Sequence, residues 1–368
     1  MRPLPRAKTT TTRLPGGRVI RLVRDVERPA ASITFEWTYI LLSCWMIFGS
    51  YLDGWAHTHI PQLETFFTPW HAVLYSGFLA VSAFTVGALV RNHWQGYHWK
   101  QALPAGYQLS LLGVVIFLVG GIGDLIWHTL FGIEADVDAL LSPTHLVLAL
   151  GAALIVTGPL RAGRLRVAVG ARQDWVEQLP AVISLALLLS VLTFFTQYAH
   201  PWVNPLAASQ YSPSTEDETF YRQALGVASI LLQTGILMGL VLLALRRAVL
   251  PAGSLTLVFT INGLLLGLMR GQHQMIPVAI AAGLAADGLL LLLRPSIERS
   301  AQLRLFAFGV PLILYALYFL TLQLTGGIWW SVHMWTGAIV LAGITGWLAS
   351  YLVVSPATQP VADSARSG

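Results

Sequence analysis

An all-α bundle of about ten membrane-spanning helices is predicted, and three observations carry the prediction. The 368 residues are 55% hydrophobic and only 11% charged, with a mean hydropathy of +0.65, whereas soluble domains are roughly a quarter charged. Ten apolar runs approach the roughly 20 residues needed to cross about 30 Å of hydrocarbon. They fall at 33–57, 69–90, 106–128, 143–160, 179–199, 223–245, 252–270, 276–293, 305–324 and 331–354. The third observation is independent of hydropathy. With the N-terminus cytoplasmic, the segments 1–32, 91–105, 161–178, 246–251 and 294–304 and the C-terminal tail hold 20 of the 22 Lys and Arg, leaving only Arg222 and Arg270 outside. Short cytoplasmic loops show this excess of basic residues. The expectation is a plasma-membrane protein with both termini cytoplasmic.

Taken in order, residues 1–32 hold Arg2, Arg6, Lys8, Arg13, Arg18, Arg21, Arg24 and Arg28 around a Thr run. This reads as a cytoplasmic basic tail, disordered and held at an anionic inner leaflet. An organelle transit peptide is the competing reading, and no apolar segment with a small-residue cleavage site precedes the first span. The net charge of +5 therefore speaks of orientation. Without a basic stripe interleaved with aromatics, nucleic acid is not an expected partner; the lipid bilayer and a membrane or redox protein are. The single cysteine, Cys44, excludes an intramolecular disulfide, a thiolate zinc cluster and a c-type haem attachment motif.

Residues 33–161 read as two repeated transmembrane hairpins. GSYLDGWAHT and, after a loop, TPWHAVLYSG form the first copy; GGIGDLIWHT and SPTHLVLALG form the second. Both follow G-x3-D-x3-H-T and then [ST]-P-x-H-x-V-L-x2-G. Thr68-Pro69 and Ser142-Pro143 are helix starts, a capping hydroxyl ahead of a proline in the first turn. Asp53 and His57, like Asp124 and His128, are four apart and share a helix face. His71 and His145 open the returning helices, so all six groups are expected at one membrane boundary. Six further spans complete 162–354, and 355–368 is a second cytoplasmic tail.

Carboxylate and neutral imidazole are ligands for zinc, copper, iron or manganese, and three or four of them from two helices can close a tetrahedral or facial site. Asp53, His57, His71, Asp124, His128 and His145 are the expected metal ligands, as one site or two. The bland alternative makes them interfacial groups capping helix ends, as Trp55, Trp70, Trp127, Trp329, Trp330 and Trp335 form an interfacial belt. The repetition in the same order favours metal. His59 has no counterpart in the second copy and reads as a loop residue. His200, His273 and His333 are weaker ligand candidates, and His93 and His98 read as surface residues. Glu134, Asp136 and Asp138 read as a solvated acidic face able to draw a cation inward. Asp287, inside a span, is costly to bury alone and so functional by default. It is the candidate catalytic residue, a proton relay, with pairing to an inner-side arginine as the alternative. A bis-His haem is less favoured, because Pro61 and Pro69 between His57 and His71 break the single helix that would present both.

The Asp-x3-His of Asp53 and His57, followed by His71, resembles the membrane metal site of the particulate methane and ammonia monooxygenases. The likeness covers about twenty residues of the first hairpin, with a different last spacing and with the pattern present twice here. It implies a copper-dependent, oxygenase-like site at those three residues, so copper is favoured over zinc or iron. Two functions follow: a metal-dependent redox or oxygenase-like membrane enzyme, or a transition-metal transporter. An accessory protein handling metal or haem is a third. Beyond Asp287, Asn262 and Gln323 few polar residues lie within the spans, which disfavours a hydrophilic channel. No Walker motif, nucleophile elbow or dinucleotide fingerprint offers another activity.

Overall fold

Within the computed structural model, residues 9–13, 19–23, 28–60, 67–132, 134, 136–168, 174–246 and 250–354 are described. Most of the basic tail, the loop residues Pro61, Gln62 and Glu64, and the C-terminal tail 355–368 lie outside the described residues.

Thr9–Arg13 and Val19–Val23 pair antiparallel ahead of the helical body. The body comprises α1 (Ile33–His59), α2 (Pro69–Trp94), α3 (Gln108–Phe131), α4 (Asp136–Leu141), α5 (Pro143–Val156), α6 (Gly158–Ala168), α7 (Trp175–Phe195), α8 (Glu216–Leu245), α9 (Ser254–Met269), α10 (Met275–Leu293), α11 (Ser300–Thr325) and α12 (Val332–Val353). Seven of them, α2, α3, α7, α8, α10, α11 and α12, are long and apolar enough to cross a membrane. The chain is a membrane-spanning helical protein. α1 is long but carries Glu36, Asp53 and His57, while α5 and α9, at 14 and 16 residues, are shorter apolar helices.

α1 packs on α2, α3 on α5, α9 on α10 and α11 on α12, while α7 contacts α1, α5 and α9 and ties the first two hairpins to the remainder. The apolar run at 143–160 does not continue as one helix. Pro159 lacks an N–H and frees the carbonyl of Ile155, which accepts from the Tyr39 hydroxyl at 3.0 Å and the Ser110 hydroxyl at 3.2 Å. Arg161 donates to the carbonyls of Gly106 and Leu154 and to Ser110 Oγ. The break is thus satisfied from α1 and α3, which ties these two helices to the end of α5.

The glycines of the repeated pattern explain how closely each pair crosses. A Cβ on Gly49 would stand 2.6 Å from Leu74 Cα, and one on Gly77 2.6 Å from Met46 N. In the second pair, a Cβ on Gly151 would stand 2.7 Å from Phe117 N and one on Gly120 3.1 Å from the Leu148 side chain. At Gly49, Gly77 and Gly151 only a residue without a side chain permits such backbone approach, the usual device where lipid offers no hydrophobic drive to association.

Gly77→Val should therefore push α1 and α2 apart and cost about 1–3 kcal/mol, the usual penalty of overpacking, lowering the unfolding midpoint in detergent. Gly87→Ala, where an added Cβ meets nothing within 4 Å, should leave the midpoint unchanged or slightly raised. Equal midpoints for the two variants would contradict the crossing.

Candidate metal centre

The C-terminal ends of α1 and α3 and the N-terminal turns of α2 and α5 meet around one cavity of about 870 Å³. Local sequence explains their arrival. Thr68 Oγ1 accepts from the His71 N–H at 3.1 Å, so the cap of α2 orients the turn bearing that histidine. In the second pair Ser142 Oγ lies 2.8 Å from His145 Nδ1, holding the imidazole directly. Asp53 and Asp124 sit one turn before His57 and His128, on the same helix face.

In each set the histidine Nε2 atoms converge on one carboxylate. Asp53 Oδ2 is 3.3 Å from His71 Nε2 and 3.7 Å from His57 Nε2. Asp124 Oδ1 is 3.2 Å from His145 Nε2 and 3.5 Å from His128 Nε2. Charge-assisted N–H···O bonds run shorter, about 2.7–2.9 Å. Ligand atoms held about 2.0–2.2 Å from a tetrahedral metal stand roughly 3.3–3.6 Å apart, close to the spacing seen here. Within each set one ligand atom per residue lies within 4.8 Å of the others, so each group can hold a metal ion.

The outer nitrogens support the same arrangement. His128 Nδ1 is 3.1 Å from the Gly132 carbonyl, an acceptor that requires an N–H, while its Nε2 also faces an acceptor, Asp124. A ring that donates from Nδ1 to Gly132 turns an Nε2 lone pair toward Asp124, the pattern of metal-ligating histidines, which characteristically donate their other N–H to a carbonyl or carboxylate. Asp124 is held by a hydrogen bond from the Thr144 hydroxyl at 3.0 Å, and its side chain is 2% exposed.

Three carboxylate oxygens complete the electrostatic picture. Asp53 Oδ1 and both oxygens of Glu134 are buried without a hydrogen-bond partner among the described residues. Burying carboxylate oxygens without hydrogen bonds is costly, and protonation, counter-charge or metal coordination is the usual relief. Glu134 corrects the expectation of a wholly solvated acidic face. Its side chain is 15% exposed and Oε2 lies 3.3 Å from His128 Nδ1, and Asp136, Val137, Ala139 and Leu140 of α4 also line the cavity. Asp136 and Asp138 are exposed.

Asp287 is not part of this centre. On α10, its carboxylate accepts from the Leu255 N–H at 3.3 Å, the Thr256 N–H at 2.7 Å and the Thr256 hydroxyl at 2.6 Å. It caps the start of α9 from a neighbouring helix, with backbone amides in place of the expected arginine, and it is not among the residues that line the cavity.

The other histidines also stand apart. His200, past the end of α7, is buried and accepts the Trp202 N–H at 3.1 Å through Nδ1; burial pushes its pKa down to about 3, keeping it neutral. His273 and His333 are exposed. His59 is the exposed last residue of α1 and stacks on Trp55. His93 stacks on Trp99 at 3.8 Å. Of the aromatic belt, Trp330 is buried, at 3% exposure, against Gly226.

Comparison with protein families, curated proteins and solved structures gives no match. What the chain can do follows from its own geometry. The roles of Ser142 and Thr144 and the inward turn of Glu134 escape a reading of spacing alone; a hydroxyl flanking the Pro of each helix start is the available signal.

Asp287→Ala should leave the start of α9 with unsatisfied amides, costing about 1–3 kcal/mol, and leave the metal content unchanged. A drop in bound metal matching a set ligand's loss would return Asp287 to the centre.

Proposed function

We propose that this chain is a multi-pass membrane metalloenzyme of the redox or oxygenase-like class. Asp53, His57 and His71 hold one transition-metal ion and Asp124, His128 and His145 a second, both facing one cavity. The observation that carries this reading is the convergence of four Nε2 atoms on two aspartates at 3.2–3.7 Å, beside buried carboxylate oxygens that lack hydrogen-bond partners.

Two imidazoles and one carboxylate per ion leave coordination positions open, as catalytic sites do and closed structural sites do not. A bound ion of this kind supplies Lewis acidity toward water or electron exchange with dioxygen. The residues bind and orient: Thr144 fixes Asp124, the Gly132 carbonyl and Ser142 fix the two imidazoles of the second set, and Glu134 adds negative charge. All-nitrogen-and-oxygen ligation suits copper, zinc or iron, and the likeness at Asp53, His57 and His71 to the membrane monooxygenases favours copper.

An enzyme is preferred to a transporter because of the rest of the cavity wall. Ile47, Leu74, Phe117, Leu148, Ala152 and Val191 line it beside Ser50, Tyr51 and Tyr75, a mainly apolar surface with no further carboxylate or imidazole to carry an ion onward. The remaining features are read as one scheme: ten spans, both termini on the cytoplasmic side with the basic segments, the centre on the opposite side, and duplication of one hairpin as the origin of the two sets.

Purified protein stripped with chelator and reloaded with copper(II) should bind two equivalents. His71→Ala and His145→Ala should each retain about one, with the lost site weakened by well over the 10–100-fold typical of merely outer-sphere changes, and the double variant should retain none. Equal binding by wild type and the double variant would overturn the proposal.

A further inference from the structure

Of 22 Lys and Arg, only Arg222 and Arg270 lie outside the basic segments, and the two are held very differently. Arg222 is fully employed: it pairs with Glu218 at 2.6 Å and donates to the Tyr211 carbonyl at 2.6 Å. Arg270, at the C-terminal end of α9, makes no hydrogen bond or ion pair among the described residues and lines the metal cavity. Asp136 and Tyr211 are the groups near enough to influence its charge. It is half-buried, so its guanidinium has given up part of its water without a fixed partner in exchange. A half-buried charge facing a cavity and lacking a partner is a recognition group awaiting a ligand of opposite sign.

Charge balance points the same way. The cavity lining brings together Asp53, Asp124, Glu134 and Asp136, four carboxylates, against the single cation Arg270. Counted formally, with ionised carboxylates and neutral imidazoles, the metal-free lining carries three net negative charges, which disfavours an anion. Two divalent ions reverse the sign and leave one net positive charge, which suits a monoanion. Arg270 then offers the planar fork that matches a carboxylate bidentately. The body of the ligand meets an apolar wall in which Phe117, Phe194 and Phe195 are prominent, and about 870 Å³ falls within the range of small-molecule pockets.

Resting on the metal reading above, we infer that the molecule brought to this centre is an organic carboxylate, with Arg270 binding its head group and the apolar cavity wall its body. Arg270 is a specificity residue in this assignment and holds no metal.

The test uses full-length protein in detergent loaded with cobalt(II), whose visible spectrum reports its ligand field, titrated with benzoate and, separately, with benzyl alcohol. Wild type should bind benzoate with a spectral change. Arg270→Gln should take up the same amount of cobalt with the same starting spectrum and bind benzoate about 10- to 100-fold more weakly, the usual effect of losing a hydrogen bond to a charged group. Arg270→Lys should recover part of the affinity, and benzyl alcohol should bind wild type and Arg270→Gln alike. Equal benzoate affinity in wild type and Arg270→Gln, both cobalt-loaded, would overturn this inference and leave the metal reading standing. Failure of wild type to take up cobalt would overturn both, because the metal-free cavity has the wrong sign for an anion.

Discussion

Bringing two aspartates, a glutamate and four histidines into one cavity at the end of a helical bundle is the constraint on which the rest depends. Each carboxylate taken from water needs a compensating positive charge or hydrogen bonds. The protein supplies imidazole nitrogens on one carboxylate oxygen per set and a hydroxyl to Asp124, yet leaves Asp53 Oδ1 and Glu134 without hydrogen-bond partners among the described residues. In the proposed reading, that deficit is what a bound cation would relieve. The glycine crossings are its structural counterpart, since separating α1 from α2, or α3 from α5, by the width of a methyl group would spread the ligand atoms beyond reach of one ion.

The same logic connects the ends of the bundle. At the far end, the interruption at Pro159 is satisfied by Tyr39, Ser110 and Arg161, so the helices that carry the centre are pinned where they leave it. In between, α7 touches both hairpins and provides the apolar floor through Val191 and Phe194. In the proposed reading, a mainly apolar wall beneath the site serves chemistry on a bound molecule.

Much of this is legible in the sequence. Helices stand at each apolar run because hydropathy and helix starts such as Thr68-Pro69 are local properties, and the meeting of Asp53, His57 and His71 follows from i,i+4 spacing plus the packing of α1 on α2. Other features are not legible because they depend on partners distant in sequence. Asp287 reads as an isolated acid until α9 presents its amides 31 residues away. Glu134 looks no different from Asp138 until its carboxylate is found beside His128. Arg270 stands out only as an exception to the charge asymmetry, and its significance requires the cavity.

The most direct measurement is anomalous diffraction at the copper absorption edge from crystals of the copper-loaded protein. Two peaks in the cavity are expected, each about 2.0–2.2 Å from both Nε2 atoms and a carboxylate oxygen of its own set. Six side chains hydrogen-bonded only among themselves or turned outward, with no ordered ion at saturating copper, would contradict it.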